Sequence, residues 1–487
     1  MCSRVPLSET VLGADKKLFV GGVDVPSYGQ VWVATQVWRG KGDQALGYPG
    51  YRWGGFRSVP RASLPASCSS VPLTRVPPAS STCEPGQEVC AGDLHSRYRI
   101  GEAILTGMMT PTFDLVVHGG TVIDPETGTN RVADVGIRDG RIAAVGPALA
   151  RDGAELIDAT GCIVTPGLID LHAHVYAGVT PLSIDADPLA SRSGTSTQVD
   201  AGSVGAATWD GFRRFIVEPS QSRVLAFLNI SIIGLVAMPE CGYGRFVDPT
   251  ETARVVEANR DLIVGVKVRA SRNAFGEDNS LQPVWHAIAA ARAAQVPVMM
   301  HIGDPPPVFE EGLAALRKGD MVTHAWKGQP VTRLTERDGR VKPEVRAARD
   351  RGVLFDIGHG SGSFNWTTAH HLADQDFWPD TISTDVHINS IRPPVSIDMP
   401  ATMTRLLHMG MPLVDVVAAS TSRPAKAIGW GDRIGSLRPG HLADVAILAV
   451  EDREVVLTDS YGVSETVRRQ IVARTTIIGG KAMARVS

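Results

Sequence analysis

From Phe113 onward the chain alternates apolar and polar positions in short runs broken by glycine turns: DLVVHGGTVID, VADVGIRDGRIAAVG and ELIDATGCIVTPG. Period-two alternation between such turns predicts antiparallel strands. The same style returns near the C-terminus in GSLRPGHLADVAILAV and VARTTIIGGKAM. Two β segments at opposite ends of a chain can pair into one small domain. Between them, apolar runs alternate with amphipathic stretches such as PVWHAIAAARAAQ and PEVRAARDRG. Eight runs read as strands: 167–175, 195–203, 223–232, 262–271, 296–303, 320–326, 352–360 and 380–388. Eight strand–helix units predict an α/β fold, a (β/α)8 TIM barrel whose site residues gather at the C-terminal ends of the strands. The expected layout is a composite β-sandwich from 111–166 and 430–487, with the barrel at 167–429.

Residues 1–110 break this pattern. FRSVPRASLPASCSSVPLTRVPPASSTCEPGQ is rich in Pro, Ser and Arg, a composition that rarely packs a core. Only QVWVATQVW reads as a strand, and Met108 and Met109 stand just before the β-patterning begins. The segment is expected to be a disordered extension or the product of a mis-assigned start, and no function is assigned to it. Composition narrows the rest. With 487 residues, 43% hydrophobic and 20% charged, the chain is an ordinary globular one. A formal net charge of −3 gives no basic field for nucleic acid. No apolar run reaches membrane-spanning length, and no secretory leader is seen. Six cysteines lack metal-finger spacing, so a cytoplasmic location is the expectation.

The candidate chemistry begins in DLHAHV. His172 and His174 share one face of a strand, about 6–7 Å apart, and two imidazoles converging there suit a metal better than a packed core. The bland alternative is a polar pair at a strand end. In IVGVKVRAS, Lys267 is a charge inside a barrel strand that should be buried on both faces. It is either paired with a buried carboxylate or a lysine of lowered pKa, whose neutral amine can add carbon dioxide to form a carbamate that bridges two cations. His301 and His324 end the next two strands, and Asp385 lies in the eighth as ligand and general base, or as a strand-end cap or salt-bridge partner. Together these six groups suit two Zn²⁺ per subunit with open positions for water. Arg269, in phase with Lys267, is expected to hold a substrate carboxylate bidentately or to sit in a structural ion pair. His359, in the glycine-rich DIGHGSGSF, and His387, in phase with Asp385, are further substrate-facing candidates. Gly358, Gly360 and Gly362 would let backbone approach a ligand. Asp200 and Ser203 are weaker candidates, residues of a kind that often just satisfies turn amides.

The order His-x-His, Lys, His, His, Asp on eight strands resembles the amidohydrolase superfamily, over about residues 112–485. VTPGLIDLHAHV resembles its entry motif and GSLRPGHLADVAIL its return to the β-domain. DLHAHVY, GVKVRAS, FDIGHGSGSF and STDVH resemble its dihydroorotase-like amidohydrolase/deacetylase group. That resemblance implies removal of an acetyl group from a small carboxylate-bearing ester or amide. Dihydroorotases usually carry an arginine two residues after the His-x-His pair, to hold a substrate carboxylate; here Tyr176 takes that position, also a substrate-facing candidate. A cyclic amide hydrolase of the dihydroorotase or hydantoinase kind is the enzymatic alternative, and a non-catalytic barrel the other class. A small-molecule substrate, no nucleic acid or membrane partner, and room for a homo-oligomer complete the expectation.

Overall fold

The computed structural model describes residues 113–276, 280–328, 334–391 and 397–484, together with three short strands, Thr10–Val11, Lys17–Val23 and Trp32–Val37, that pair antiparallel. The last of these falls in QVWVATQVW; the other expectations for residues 1–110 lie outside the described residues. The described residues from Phe113 onward belong to one compact unit.

Seven parallel strands make the barrel wall in sequence order: Leu168–Ala173, Thr195–Gly205, Arg223–Asn229, Ile263–Ala270, Val298–Ile302, Met321–Thr323 and Leu354–Phe355. The first, second and fourth are buried along their whole length, as strands covered on both faces must be. The eighth segment forms no regular strand. It closes the ring by isolated parallel bridges, Thr381 to Asp356 and Val386 to Ala173. Main-chain bonds run from it to both neighbours: Gly360 N donates to Thr384 O at 2.8 Å and His174 N to Val386 O at 2.9 Å. The expected helical stretches appear as Gln282–Ala293 and Pro343–Asp350, each with proline in its first turn, where the missing N–H costs nothing.

The other sheets hold six and four strands. Leu115, Val117 and Val135 from the smaller sheet share a buried core with Val122, Val164, Val445, Ile447 and Ile477 from the larger. The two sheets therefore pack as a sandwich, built from 115–166 and 445–482. Its longest hairpin, Val445–Thr458 and Ser464–Ile478, reaches back to the barrel. At its tip Asp459 accepts from Trp366 N at 3.0 Å and Asn365 Nδ2 at 3.2 Å, and the Ser460 hydroxyl donates to Gly360 O at 3.0 Å.

Candidate metal centre

The barrel brings the six expected groups together at the C-terminal ends of its strands. Asp385 Oδ1 lies 3.3 Å from His172 Nε2 and 3.1 Å from His174 Nε2, and its Oδ2 lies 3.8 Å from His324 Nε2. Lys267 Nζ is 3.1 Å from His172 Nε2. The His301 and His324 rings are 4.2 Å apart, and those of His172 and His324 4.8 Å. The ligating atoms of His172, His174 and Asp385 all lie within 4.8 Å of one another.

Hydrogen bonds behind the rings fix which nitrogen faces the centre. His324 Nδ1 is 2.6 Å from Gly358 O. A carbonyl only accepts, so Nδ1 carries the proton and Nε2 a lone pair. His172 Nδ1 is 2.8 Å from Thr323 Oγ1, which itself donates to Asp356 Oδ2 at 2.7 Å. The threonine proton is thus spent on the carboxylate, and the hydroxyl accepts from His172. His174 Nδ1 meets Ser203 Oγ at 2.8 Å. The lone pairs of His172 and His324 converge with the carboxylate of Asp385, and His324 Nε2 is buried without any hydrogen-bond partner. Acceptors facing acceptors in a buried space repel unless a cation lies among them. The donor set fits a divalent metal, with nitrogen and carboxylate ligands of the kind zinc takes and with the outer ring nitrogens anchored.

The electrostatics agree. Burial, then the Lys267 charge, keeps the His172 imidazole neutral well below its usual range, and burial lowers His324 to about 3. Burial pushes Asp385 up, while the hydrogen bond from His174 favours its anion, and the carboxyl is held well below its usual range. Burial lowers Lys267 to about 7. Its nitrogen meets His172 and, at 3.4 Å, only the thioether of Met299 besides. No carboxylate among the described residues lies within ion-pair distance of it, which sets aside the paired-lysine alternative.

The backbone is bent to make this possible. His324 has φ 67° and Asp385 φ 48°, left-handed values that cost a residue with a side chain about 1 kcal/mol or more and cluster at functional sites. Glycines clear the space around them. A Cβ on Gly360 would stand 2.3 Å from Asp385 Oδ2, and one on Gly202 2.7 Å from Lys267 Cγ. The room made by Gly358 and Gly360 thus serves the protein's own Thr323, His324 and Asp385. No such contact is found for Gly362, where a Cβ would meet nothing within 4 Å.

The substrate-facing candidates divide. Arg269 gives its Nε and Nη2 to the two oxygens of buried Glu240 at 2.6 and 2.9 Å, so the ion-pair alternative is the one seen. The Tyr176 hydroxyl donates to Thr208 O at 3.0 Å, and its ring packs 5.0 Å from Phe212. His359 is buried, with Nδ1 3.1 Å from Thr402 Oγ1 and its ring on Phe364. His387 does face the centre, its ring 6.4 Å from His174. Asp200 accepts from the main-chain N–H groups of Val175, Ser203 and Val204, a turn-satisfying role, while Ser203 holds His174. Sequence reasoning missed Asp170, Asp356 and Thr323. Asp170 accepts from His172 N and Thr384 N, tying the first strand to the eighth; Asp356 accepts from three hydroxyls, those of Thr323, Thr381 and Ser383. The only sequence signal of the two aspartates is a carboxylate inside an apolar strand, in LIDLHAH and LFDIGHG; Thr323 has none.

Residues 359–483 match the model of the amidohydrolase family. A deacetylase of Agrobacterium fabrum is 38% identical over 350 residues, 71% of this chain and 85% of that one. Two solved structures cover 76% of this chain and 99% of theirs: a dihydroorotase, 34% identical with TM-score 0.70, and an adenine deaminase, 30% identical with TM-score 0.72.

Proposed function

This chain belongs to the amidohydrolase superfamily of hydrolases, and from that premise we propose that it removes an acetyl group from a small carboxylate-bearing ester or amide, using two Zn²⁺ bridged by carbamylated Lys267. The observation that carries the metal reading is the convergence of the His172 and His324 lone pairs on Asp385, beside a buried lysine with no counter-charge. The likeness to a deacetylase supports the choice of bond, as does Tyr176, whose hydroxyl is spent on Thr208. No cation stands where dihydroorotases usually place theirs.

His172 and His174 would hold one cation and His301 and His324 the other, with Asp385 beside the first. When bound, the cations supply Lewis acidity toward an acyl carbonyl and a more acidic water. Lys267 suits the bridge. Its amine, lowered to about 7 by burial, is substantially neutral at physiological pH. Adding carbon dioxide at Nζ forms the N–C bond of a carbamate and releases one proton. Asp385, ionised in the resting site, takes the proton of the attacking water and delivers it to the leaving oxygen or nitrogen. His172, His301 and His324 stay unprotonated because burial disfavours their charged forms. A cytoplasmic setting is consistent with the unbridged thiols of Cys162 and Cys241. No helix among the described residues is long and apolar enough to cross a membrane.

The test is a panel assay on zinc-replete protein, setting O-acetyl hydroxy acids and N-acetyl amino acids against dihydroorotate and hydantoins. Acetate release that stops on chelation and returns with zinc is the expected result. Faster opening of a cyclic ureide would overturn the deacetylase reading in favour of cyclic amide hydrolysis. Activity that survives complete metal removal would overturn the metal centre itself.

A further inference from the structure

A substrate carboxylate needs a cation, and none of the sequence candidates offers one: the Arg269 fork is filled by Glu240, Tyr176 is turned to Thr208, and burial holds the His359 and His387 imidazoles below their usual range. Three cationic side chains act electrostatically on His301: Arg269, Lys327 and Lys267. Lys267 lies inside the centre and Arg269 is paired. Lys327 is different. It follows His324 by three residues, on the loop leaving the sixth strand. Its Nζ reaches across to the loop after the seventh strand, 3.0 Å from Ser363 Oγ and 3.4 Å from Gly362 O. That second loop also carries Gly358, whose carbonyl orients His324, and Gly360, which lies against Asp385. The ammonium is half-buried, and both partners are neutral. No carboxylate among the described residues is within ion-pair distance; Asp385 and Asp304 act on it only from farther away. A half-buried charge with neutral partners is a costly arrangement that an anionic ligand relieves.

We propose, building on the deacetylase reading, that Lys327 receives the carboxylate of the substrate beside the Ser363 hydroxyl. It thereby selects small acids whose carboxylate lies close to the scissile acyl group. The amine supplies the charge, and the loops after the sixth and seventh strands set its distance from the metal ligands.

The test uses the full-length, zinc-replete protein and two paired probes. O-Acetyl-lactate is compared with O-acetyl-lactamide in turnover, and lactate with lactamide in binding by calorimetry. In Lys327→Met the carboxylate-over-amide ratio of kcat/KM should fall about 10–100-fold, the worth of one charge-assisted hydrogen bond. Lys327→Arg should recover most of it, and zinc content should match wild type in both variants. An unchanged ratio in Lys327→Met overturns the proposal. So does loss of zinc with both substrates falling together, which would assign Lys327 to holding the loops. If wild type hydrolyses neither acetyl compound, the deacetylase reading fails while the binding arm still decides this one. Lactate bound more tightly than lactamide by wild type but not by Lys327→Met supports the site; equal binding in both proteins overturns it.

Discussion

Each imidazole at the centre is useful because of what stands behind it. Asp356 takes the Thr323 proton, Thr323 accepts from His172, and the His172 lone pair is thereby aimed inward. The six central groups were legible as candidates in the sequence because a strand period of two, and a histidine, lysine or aspartate set in an apolar run, are local facts. Their partners were not. Glu240 lies 29 residues from Arg269 and is unremarkable in composition; only the folded chain brings it into the guanidinium fork. Ser203 stood out only as a weaker candidate, and its hold on His174, 29 residues away, is likewise seen only in the folded chain. Lys267 gives the sharpest residue-level prediction. Lys267→Ala removes the proposed bridge between the two cations and leaves the histidines in place. Zinc measured by elemental analysis should fall from about two per chain to one or fewer, with activity down by at least about 10²-fold. Acetate, propionate or formate should restore part of both by standing in for the carbamate. Full zinc loading in the variant would show that the lysine only fills space.

At the scale of elements, seven of the eight barrel strands and their order were readable, and the eighth strand and the strand ends were not. The run 320–326 ends as a strand at Thr323, where His324 turns left-handed; the run 380–388, in which Asp385 does the same, is only bridged. An apolar pattern cannot announce a positive φ on a histidine or an aspartate, since local preference runs against it. The glycines are the visible trace of that bending. Gly360→Ala puts a methyl 2.3 Å from Asp385 Oδ2 at φ 52°, so the carboxylate must move. A displacement of this order from reacting geometry costs about 10²-fold in kcat, and zinc affinity should fall with it. Gly362→Ala, two residues on, meets nothing within 4 Å and is the matched control. Circular dichroism should be unchanged in both. Equal, near wild-type activity in the two variants would mean that the loop yields freely.

At the scale of the molecule, the sandwich and the barrel are coupled through the hairpin tip, which grips the loop after the seventh strand at Gly360 O and Trp366 N and the loop after the sixth at Gly328, whose N–H donates to Tyr461 OH at 3.0 Å. The centre therefore depends on global folding, and its buried titratable groups make that folding depend on pH. Burial holds His172, His301 and His359 neutral well below the usual range and His324 to about 3, against 6.5 in the unfolded chain. Below pH 6.5 the unfolded state binds protons that the native state refuses, so these four groups remove stability as pH falls toward 3. Asp170 acts in the opposite sense: burial raises it to about 7 from 3.8, so the native state gains a proton between those values. Burial raises Asp356 and Asp398 as well. Each histidine that stays neutral costs about 1.4 kcal/mol per pH unit below 6.5, and Asp170 cancels about one such group. Three uncancelled groups set an upper bound of roughly 4 kcal/mol per unit, which Asp356 and Asp398 reduce. The histidines win on number. Metal-free protein should therefore melt at a distinctly lower temperature at pH 5.5 than at pH 7.5 in differential scanning calorimetry. With zinc restored, the fall should begin at lower pH, because cation and proton compete for the same ring nitrogens. A melting temperature that stays flat or rises on acidification of the metal-free protein would mean that the carboxylates outweigh the imidazoles.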